Sequence, residues 1–139
     1  MTTMIRPTLS EKNRYYIDKH RHYELKHFCL QYPAWKKAFN EYGDPSISSS
    51  MIERFPASGA PSDPTARRAV MRAHYAKKIE LIEKAAREAD NYLHNYILKG
   101  VTENLSYTHL RSRYDIPCGR DMYYEKYRRF FWLLSEARN

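Results

Sequence analysis

The sequence predicts an all-α fold in which a helical N-terminal part and a long central helix pack with a C-terminal helix–turn–helix unit of three helices. Residues with high helix propensity fill the long segments, and the 139 residues include only four Gly. Apolar residues recur every three or four positions in these segments, as on one face of a helix. Prolines and a serine run gather in one stretch, residues 43–63, so this stretch is predicted to be a linker.

The N-terminal segment, residues 1–42, is predicted to be helical from Ser10 to about Tyr42, with a break near Pro33. Proline disfavours helical geometry at the preceding residue, so a second short helix is expected to begin at Ala34. One face of the first helix carries apolar residues at helical spacing, namely Leu25, Phe28, Cys29 and Tyr32.

Asp63 and Pro64 form the clearest helix start in the chain, because Asp is a good N-cap and Pro is tolerated at the first helical position. The helix is predicted over 64–89, with a stripe of Met71, Tyr75, Ile79, Ile82 and Ala86. The other faces carry seven Lys or Arg against three Glu, with the cations at Arg67, Arg68, Arg72, Lys77, Lys78, Lys84 and Arg87. Such a pattern is typical of a core face backed by a solvated face, and direct phosphate contact is the alternative.

Residues 90–139 are predicted to form three shorter helices. Asp90 caps the first, which Gly100 ends and which turns Tyr92, Leu93, Tyr96 and Ile97 inward. Ser106 caps the second, from Tyr107 to about Arg113. A turn over residues 114–117 leads to the final helix, 119–136. Leu110, Tyr114 and Ile116 are expected in the core, so that the short helix sets the angle of the long one, as in a helix–turn–helix that reads DNA.

The final helix carries most of the candidate DNA-contacting residues. Its apolar side is formed by Tyr123, Tyr127, Phe130, Phe131 and Leu134. The side chains suited to base edges are Arg120, Asp121, Tyr124 and Glu125. Those suited to phosphates are Lys126, Arg128 and Arg129, together with Arg111 and Arg113 of the preceding helix. A helical bundle with exposed arginines and no groove reading is the alternative.

The pattern Leu105-Ser106, Leu110, Tyr114 and Ile116-Pro117, followed by a basic helix, resembles the helix–turn–helix of sigma-factor region four. In particular, residues from about Asp90 to Arg138 resemble small phage-encoded late transcriptional regulators of the RinA/ArpU type. The resemblance implies a phage or prophage protein that binds promoter DNA, activates transcription and touches host RNA polymerase.

The formal net charge of +8 and the sequence pI of about 9.5 favour a polyanionic partner or an acidic protein surface. Double-stranded DNA is the leading prediction. The second is a protein-directed adaptor or inhibitor, such as an anti-CRISPR factor, with Trp35, Tyr15, Tyr16 and Trp132 as interface anchors or, more simply, as core residues. RNA binding ranks lower, because no RRM or KH signature is present. A homodimer is a candidate assembly.

No enzyme, cofactor or metal site is predicted. His20, His22, His27 and Cys29 lie close in sequence but lack the pair spacing of zinc sites. Cys118 precedes a helix, and His109 is the only candidate base for it, with no third group to orient the pair. Two distant cysteines and a longest apolar run of only five residues, 130–134, predict a cytoplasmic protein with no membrane role.

Overall fold

The computed structural model describes residues 13–46 and 63–139, and these residues confirm the predicted all-α class. Their helices are α1 (Lys19–Leu30), α2 (Tyr32–Gly43), α3 (Pro64–Ala89), α4 (His94–Glu103), α5 (Tyr107–Tyr114) and α6 (Arg120–Ala137). No strand occurs in the described ranges. Of these helices, none combines the length and the apolar character that a membrane crossing requires.

The described chain divides into two compact units. The terminal unit contains residues 13–31 and Leu81–Asn139, and the inserted unit contains residues 32–46 and 63–80. Helix α3 contributes its first part to the inserted unit and its last part to the terminal unit. The predicted N-terminal segment is therefore shared out, with α1 in one unit and α2 in the other.

The starts of the N-terminal helices differ from the prediction. Asp18 caps α1 by accepting a hydrogen bond at Oδ2 from the His20 N–H (3.0 Å), whereas Ser10 lies outside the described residues. The break expected near Pro33 falls at Gln31, and α2 begins at Tyr32 instead of Ala34. Proline is tolerated there because the first N–H groups of a helix have no intrahelical acceptor to lose.

The inserted unit packs α2 against the first part of α3. Trp35 and Tyr42 are buried, and the rings of Tyr42 and Tyr75 stack with their centroids 6.0 Å apart. Cations of α3 cover α2 aromatics, with the Lys78 Nζ 5.1 Å from the Trp35 ring centroid. Trp35 is thus a core residue and not an exposed anchor, and part of the basic face of α3 packs on rings.

The core of the terminal unit lies among α1, α4, α6 and the end of α3. His22 of α1 meets the Phe131 ring edge-on at 4.7 Å, and Tyr15 packs against Trp132 at 5.9 Å. Tyr15 is only 7% exposed, which makes it a core residue as well. The fully buried side chains include Leu25, Ile82, Leu93, Ile97, Leu110, Ile116, Tyr123, Phe130, Phe131 and Leu134.

Helix α4 ends later than predicted, and Gly100 has a different purpose. The helix continues to Glu103 and stops at Asn104, which adopts a left-handed conformation with φ 56°. A Cβ atom on Gly100 would lie 2.3 Å from the Tyr123 hydroxyl oxygen. Glycine at this position therefore permits close packing of α4 and α6.

Tyr92 was expected to point inward but is 74% exposed. Residues 91–93 form a turn before α4 and are not part of the helix. The Asp90 carboxylate holds this turn, accepting hydrogen bonds at Oδ1 from the N–H groups of Tyr92 and Leu93, both at 2.8 Å. Asp90 therefore holds a turn and does not cap the helix as predicted, because the N-cap of α4 is Leu93, and the turn carries Tyr92 outward.

Candidate nucleic-acid interface

The local sequence defines α5 and the turn after it. The Ser106 hydroxyl accepts a hydrogen bond from the His109 N–H (3.2 Å) and begins the helix, as predicted. Asp115 ends it in a left-handed conformation with φ 52°, which Asp tolerates better than most residues. The chain then reverses, and the Ile116 side chain becomes fully buried.

The start of α6 is fixed against the start of α5 by three hydrogen bonds. The Tyr107 hydroxyl donates to the Cys118 carbonyl (2.6 Å), and the Tyr107 N–H donates to the Tyr124 hydroxyl (3.3 Å). The Arg120 guanidinium donates to the Thr108 hydroxyl (3.1 Å) and lies over the Tyr107 ring. These contacts define how α6 leaves the turn and which of its side chains point outward.

Tyr114, predicted to point into the core, is 36% exposed. The Lys99 ammonium lies 4.6 Å from its ring centroid. Leu110 and Ile116 are fully buried as predicted, so α5 and the turn after it direct these two side chains inward and leave Tyr114 at the surface.

Five of the predicted DNA-contacting residues are exposed on α5 and on the first two turns of α6. We call this set the α5–α6 surface: Arg111, Arg113, Arg120, Asp121 and Glu125. Arg111 bridges the turn, donating from Nη1 to the Asp115 carboxylate and to the Ile116 carbonyl, both at 3.2 Å. Met122, beside Asp121, is 50% exposed. The surface therefore mixes guanidinium donors, carboxylate acceptors and one soft apolar side chain.

Three further predicted residues are half-buried and bound to other parts of the chain. Tyr124 uses its hydroxyl to accept the Tyr107 N–H. The Lys126 Nζ lies 3.6 Å from the Asp90 carboxylate. Arg129 donates from Nε to the Glu88 carbonyl (3.2 Å) and from Nη1 to the Tyr15 hydroxyl (3.1 Å). These groups hold α6 to its neighbours, and a phosphate would have to compete for them.

Arg128, the last predicted contact, lines a concave site of about 340 Å³ together with Asn13, Arg14, Tyr15 and Glu125. Its Nε is buried and has no hydrogen-bond partner among the described residues. Sequence reasoning did not identify Arg14 or Asn13, because they precede α1 and belong to no periodic pattern.

The alternative chemistries considered for the His and Cys residues meet unfavourable surroundings. Burial, with a contribution from the charge of Lys26, lowers the pKa of His22 to about 4. Burial raises the pKa of the Cys29 thiol, and burial together with the Asp90 charge raises that of Cys118. Both thiols are therefore protonated at neutral pH, which disfavours nucleophilic attack. Within residues 13–46 and 63–139, no three His, Cys, Asp or Glu side chains are grouped to hold a metal ion.

No protein family matches the chain, and no curated protein or solved structure is significantly similar to it.

Proposed function

We propose that the chain is a DNA-binding transcriptional regulator that inserts the start of α6 into the major groove. The observation that carries the proposal is the turn at Asp115 and Ile116, which joins a capped short helix to α6. Arg120, Asp121 and Glu125, in the first two turns of α6, are exposed beyond it. The resemblance to phage late regulators adds a phage or prophage origin and host RNA polymerase as a partner.

The exposed side chains suit base reading. A helix fits the major groove, whose base pairs present distinct patterns of donors and acceptors. The Arg120 guanidinium matches the two acceptors of guanine, and the carboxylates of Asp121 and Glu125 accept from the cytosine amino group. Arg111 and Arg113, on the exposed side of α5, suit the flanking phosphates.

The charge balance of the α5–α6 surface favours specificity over general affinity. Its three guanidiniums are offset by the carboxylates of Asp121 and Glu125 and by Asp115 in the turn. The DNA phosphates repel these carboxylates, and a hydrogen bond from a base-edge donor offsets that repulsion. On a wrong sequence the hydrogen bond is lost and the repulsion is not offset. We therefore expect weak binding to random DNA.

Selection from a randomised duplex library, followed by gel-shift titration, tests the proposal. Arg120→Ala should cost about 1–3 kcal/mol and relax the preference at one base pair, because it removes a base contact. Arg113→Ala should weaken all sequences by a similar factor, because a phosphate contact carries no sequence information. Lys19→Ala, an exposed lysine at the start of α1, is the matched control.

Two outcomes contradict DNA reading by this surface. One is a selection that enriches no motif. The other is an Arg120→Ala variant with the affinity and base preference of the wild type, provided that its thermal unfolding is unchanged.

A second candidate function, a protein-directed adaptor or inhibitor, is favoured by one observation. Met122, next to Asp121 of the α5–α6 surface, is 50% exposed, and methionine is common at adaptable protein interfaces. Pull-down from nuclease-treated bacterial lysate tests this function. A partner kept by the wild type and lost by Met122→Ala supports it, and loss of every partner after nuclease treatment contradicts it.

A further inference from the structure

We infer that the concave site between Arg14 and Arg128 is a phosphate-binding pocket, and that it takes a backbone phosphodiester of bound DNA. The pocket is lined by Asn13, Arg14, Tyr15, Glu125 and Arg128. That the phosphate belongs to DNA rests on the proposed function. That the pocket binds a phosphate group does not.

Arg128 has unmet hydrogen-bonding capacity. Its Nε–H is buried without an acceptor in the described residues. A buried donor without a partner costs about 1–3 kcal/mol, and the cost is greater when the group is charged. A turn of the Arg128 side chain toward the pocket would give this N–H a phosphate oxygen as its acceptor, and guanidinium N–H groups match phosphate oxygens in geometry.

Arg14, the second guanidinium of the pocket, is already oriented. Its guanidinium carbon lies 4.7 Å from the centroid of the Tyr15 ring, and it forms no ion pair within the described residues. The Tyr15 ring is itself fixed, because it is buried and its hydroxyl accepts from Arg129 (3.1 Å). A guanidinium held on a fixed ring loses little conformational freedom when it binds an anion.

The remaining pocket groups indicate the class of anion. Asn13 uses its Oδ1 to accept the Tyr15 N–H (2.8 Å), so its amide nitrogen remains to donate. Glu125 adds one carboxylate to the two guanidiniums of the lining, which leaves a net charge of about +1. This charge suits a singly charged phosphodiester better than a doubly charged terminal phosphate.

The pocket adjoins the proposed DNA surface, because Glu125 belongs to both. Glu125 lies about one helical turn along α6 from Asp121 and Arg128 about two turns, so a phosphodiester in the pocket would lie one to two turns from the base-reading residues. The pocket would therefore bind the backbone of the same duplex whose bases the start of α6 reads, and would fix the register of the helix in the groove.

The salt dependence of duplex binding by the full chain tests the pocket. Arg14→Gln and Arg128→Gln should each reduce the slope of log affinity against log salt by about 0.9, which is the value for one phosphate contact. That change corresponds to about an 8-fold loss of affinity at 0.1 M salt. The double variant should lose little more, because both arginines bind one phosphate. Lys19→Gln is the control for loss of charge.

Slopes of the two arginine variants equal to that of Lys19→Gln would overturn the pocket while leaving DNA binding intact. Arg14 is exposed, so this arm remains decisive if Arg128→Gln fails to fold.

A second arm separates the pocket from the proposed function. Dimethyl phosphate and inorganic phosphate are titrated into the full chain, and the Nε–H resonance of Arg128 is followed by NMR. If no duplex binds, the proposed function fails, and this titration still tests whether the pocket binds a phosphate group. A saturable shift that Arg14→Gln weakens supports the pocket, and no shift at about 50 mM of either anion then overturns it.

Discussion

The contact between Gly100 and Tyr123 allows a stringent test of how α4 and α6 pack. A Cβ on residue 100 would lie 2.3 Å from the Tyr123 hydroxyl oxygen, more than 1 Å inside ordinary contact. The next nearest atom, Cδ1 of Leu110, is 3.3 Å away. The clash in Gly100→Ala is therefore with one oxygen atom, which Tyr123→Phe removes.

The expected free energies follow from this geometry. Overpacking a core costs about 1–3 kcal/mol, whereas Gly→Ala within a helix gains up to about 1 kcal/mol. Gly100→Ala alone should therefore lower the free energy of unfolding by about 1–2 kcal/mol. Tyr123→Phe alone should be neutral or stabilising, because the buried hydroxyl has no partner in the described residues. In the Tyr123→Phe background, Gly100→Ala should be neutral or stabilise by up to about 1 kcal/mol.

Urea unfolding of the four proteins, followed by circular dichroism, gives the coupling energy of the cycle. We expect about 1–3 kcal/mol, above the roughly 0.5 kcal/mol within which independent substitutions add. A coupling energy near zero would refute the close approach of Gly100 and Tyr123, and with it the described packing of α4 on α6.

Other predictions concern the turn and the buried titratable groups. Ile116→Asp places a charge in the core and should cost at least about 4 kcal/mol, seen as loss of cooperative thermal unfolding of the terminal unit. His22 has a pKa near 4 in the folded chain, against about 6.5 when unfolded, so the unfolded state binds the proton first as the pH falls. The stability contributed by neutral His22 is therefore complete above pH 6.5 and should fall by up to about 3 kcal/mol toward pH 4. Urea titrations at several pH values measure this loss, and His22→Phe should abolish it. Cys118, which is partly exposed, should react with a maleimide in the folded protein, whereas the buried Cys29 should react only in denaturant, as mass spectrometry of the labelled chain would reveal.

The sequence predicted those features that depend on local hydrogen bonding and periodicity. The cap at Ser106 and the burial of Leu110 and Ile116 are confirmed, because they follow from side-chain chemistry within a few residues. The start of α3 is confirmed too, since the Asp63 carboxylate accepts the Ala66 N–H (3.4 Å).

The errors arose where distant parts of the chain decide the outcome. A glycine such as Gly100 is typical of a helix end, but here glycine is needed because the side chain of Tyr123, 23 residues later, packs against it. The actual stop at Asn104 had a local signal, because Asn tolerates the left-handed conformation. Tyr92 and Tyr114 both fit the apolar face of a helical wheel, yet both are exposed. Tyr92 lies in a turn, and on α5 the core positions belong to Leu110 and not to Tyr114.

The same limit applies to the candidate site. A helical wheel can assign Lys126 and Arg129 to an outer face, but it cannot reveal that Asp90 and the Glu88 carbonyl approach that face from α3 and the turn before α4. Nor can it bring Arg14 beside Arg128, since 113 residues lie between them. The α5–α6 surface was predictable because it belongs to one contiguous motif.

The first helix of the terminal unit, α1, is held in place by contacts with the last helix, α6. Arg21 donates to the hydroxyl and the carbonyl of Ser135 (both 3.1 Å), and the Arg138 guanidinium lies 3.9 Å from the Phe28 ring centroid. During translation, α1 emerges from the ribosome long before these residues of α6 are synthesised. It therefore lacks its packing partner while the inserted unit emerges. Folding of the terminal unit is thus expected to require α6, and a chain truncated before Arg120 would leave α1 without its partner helix.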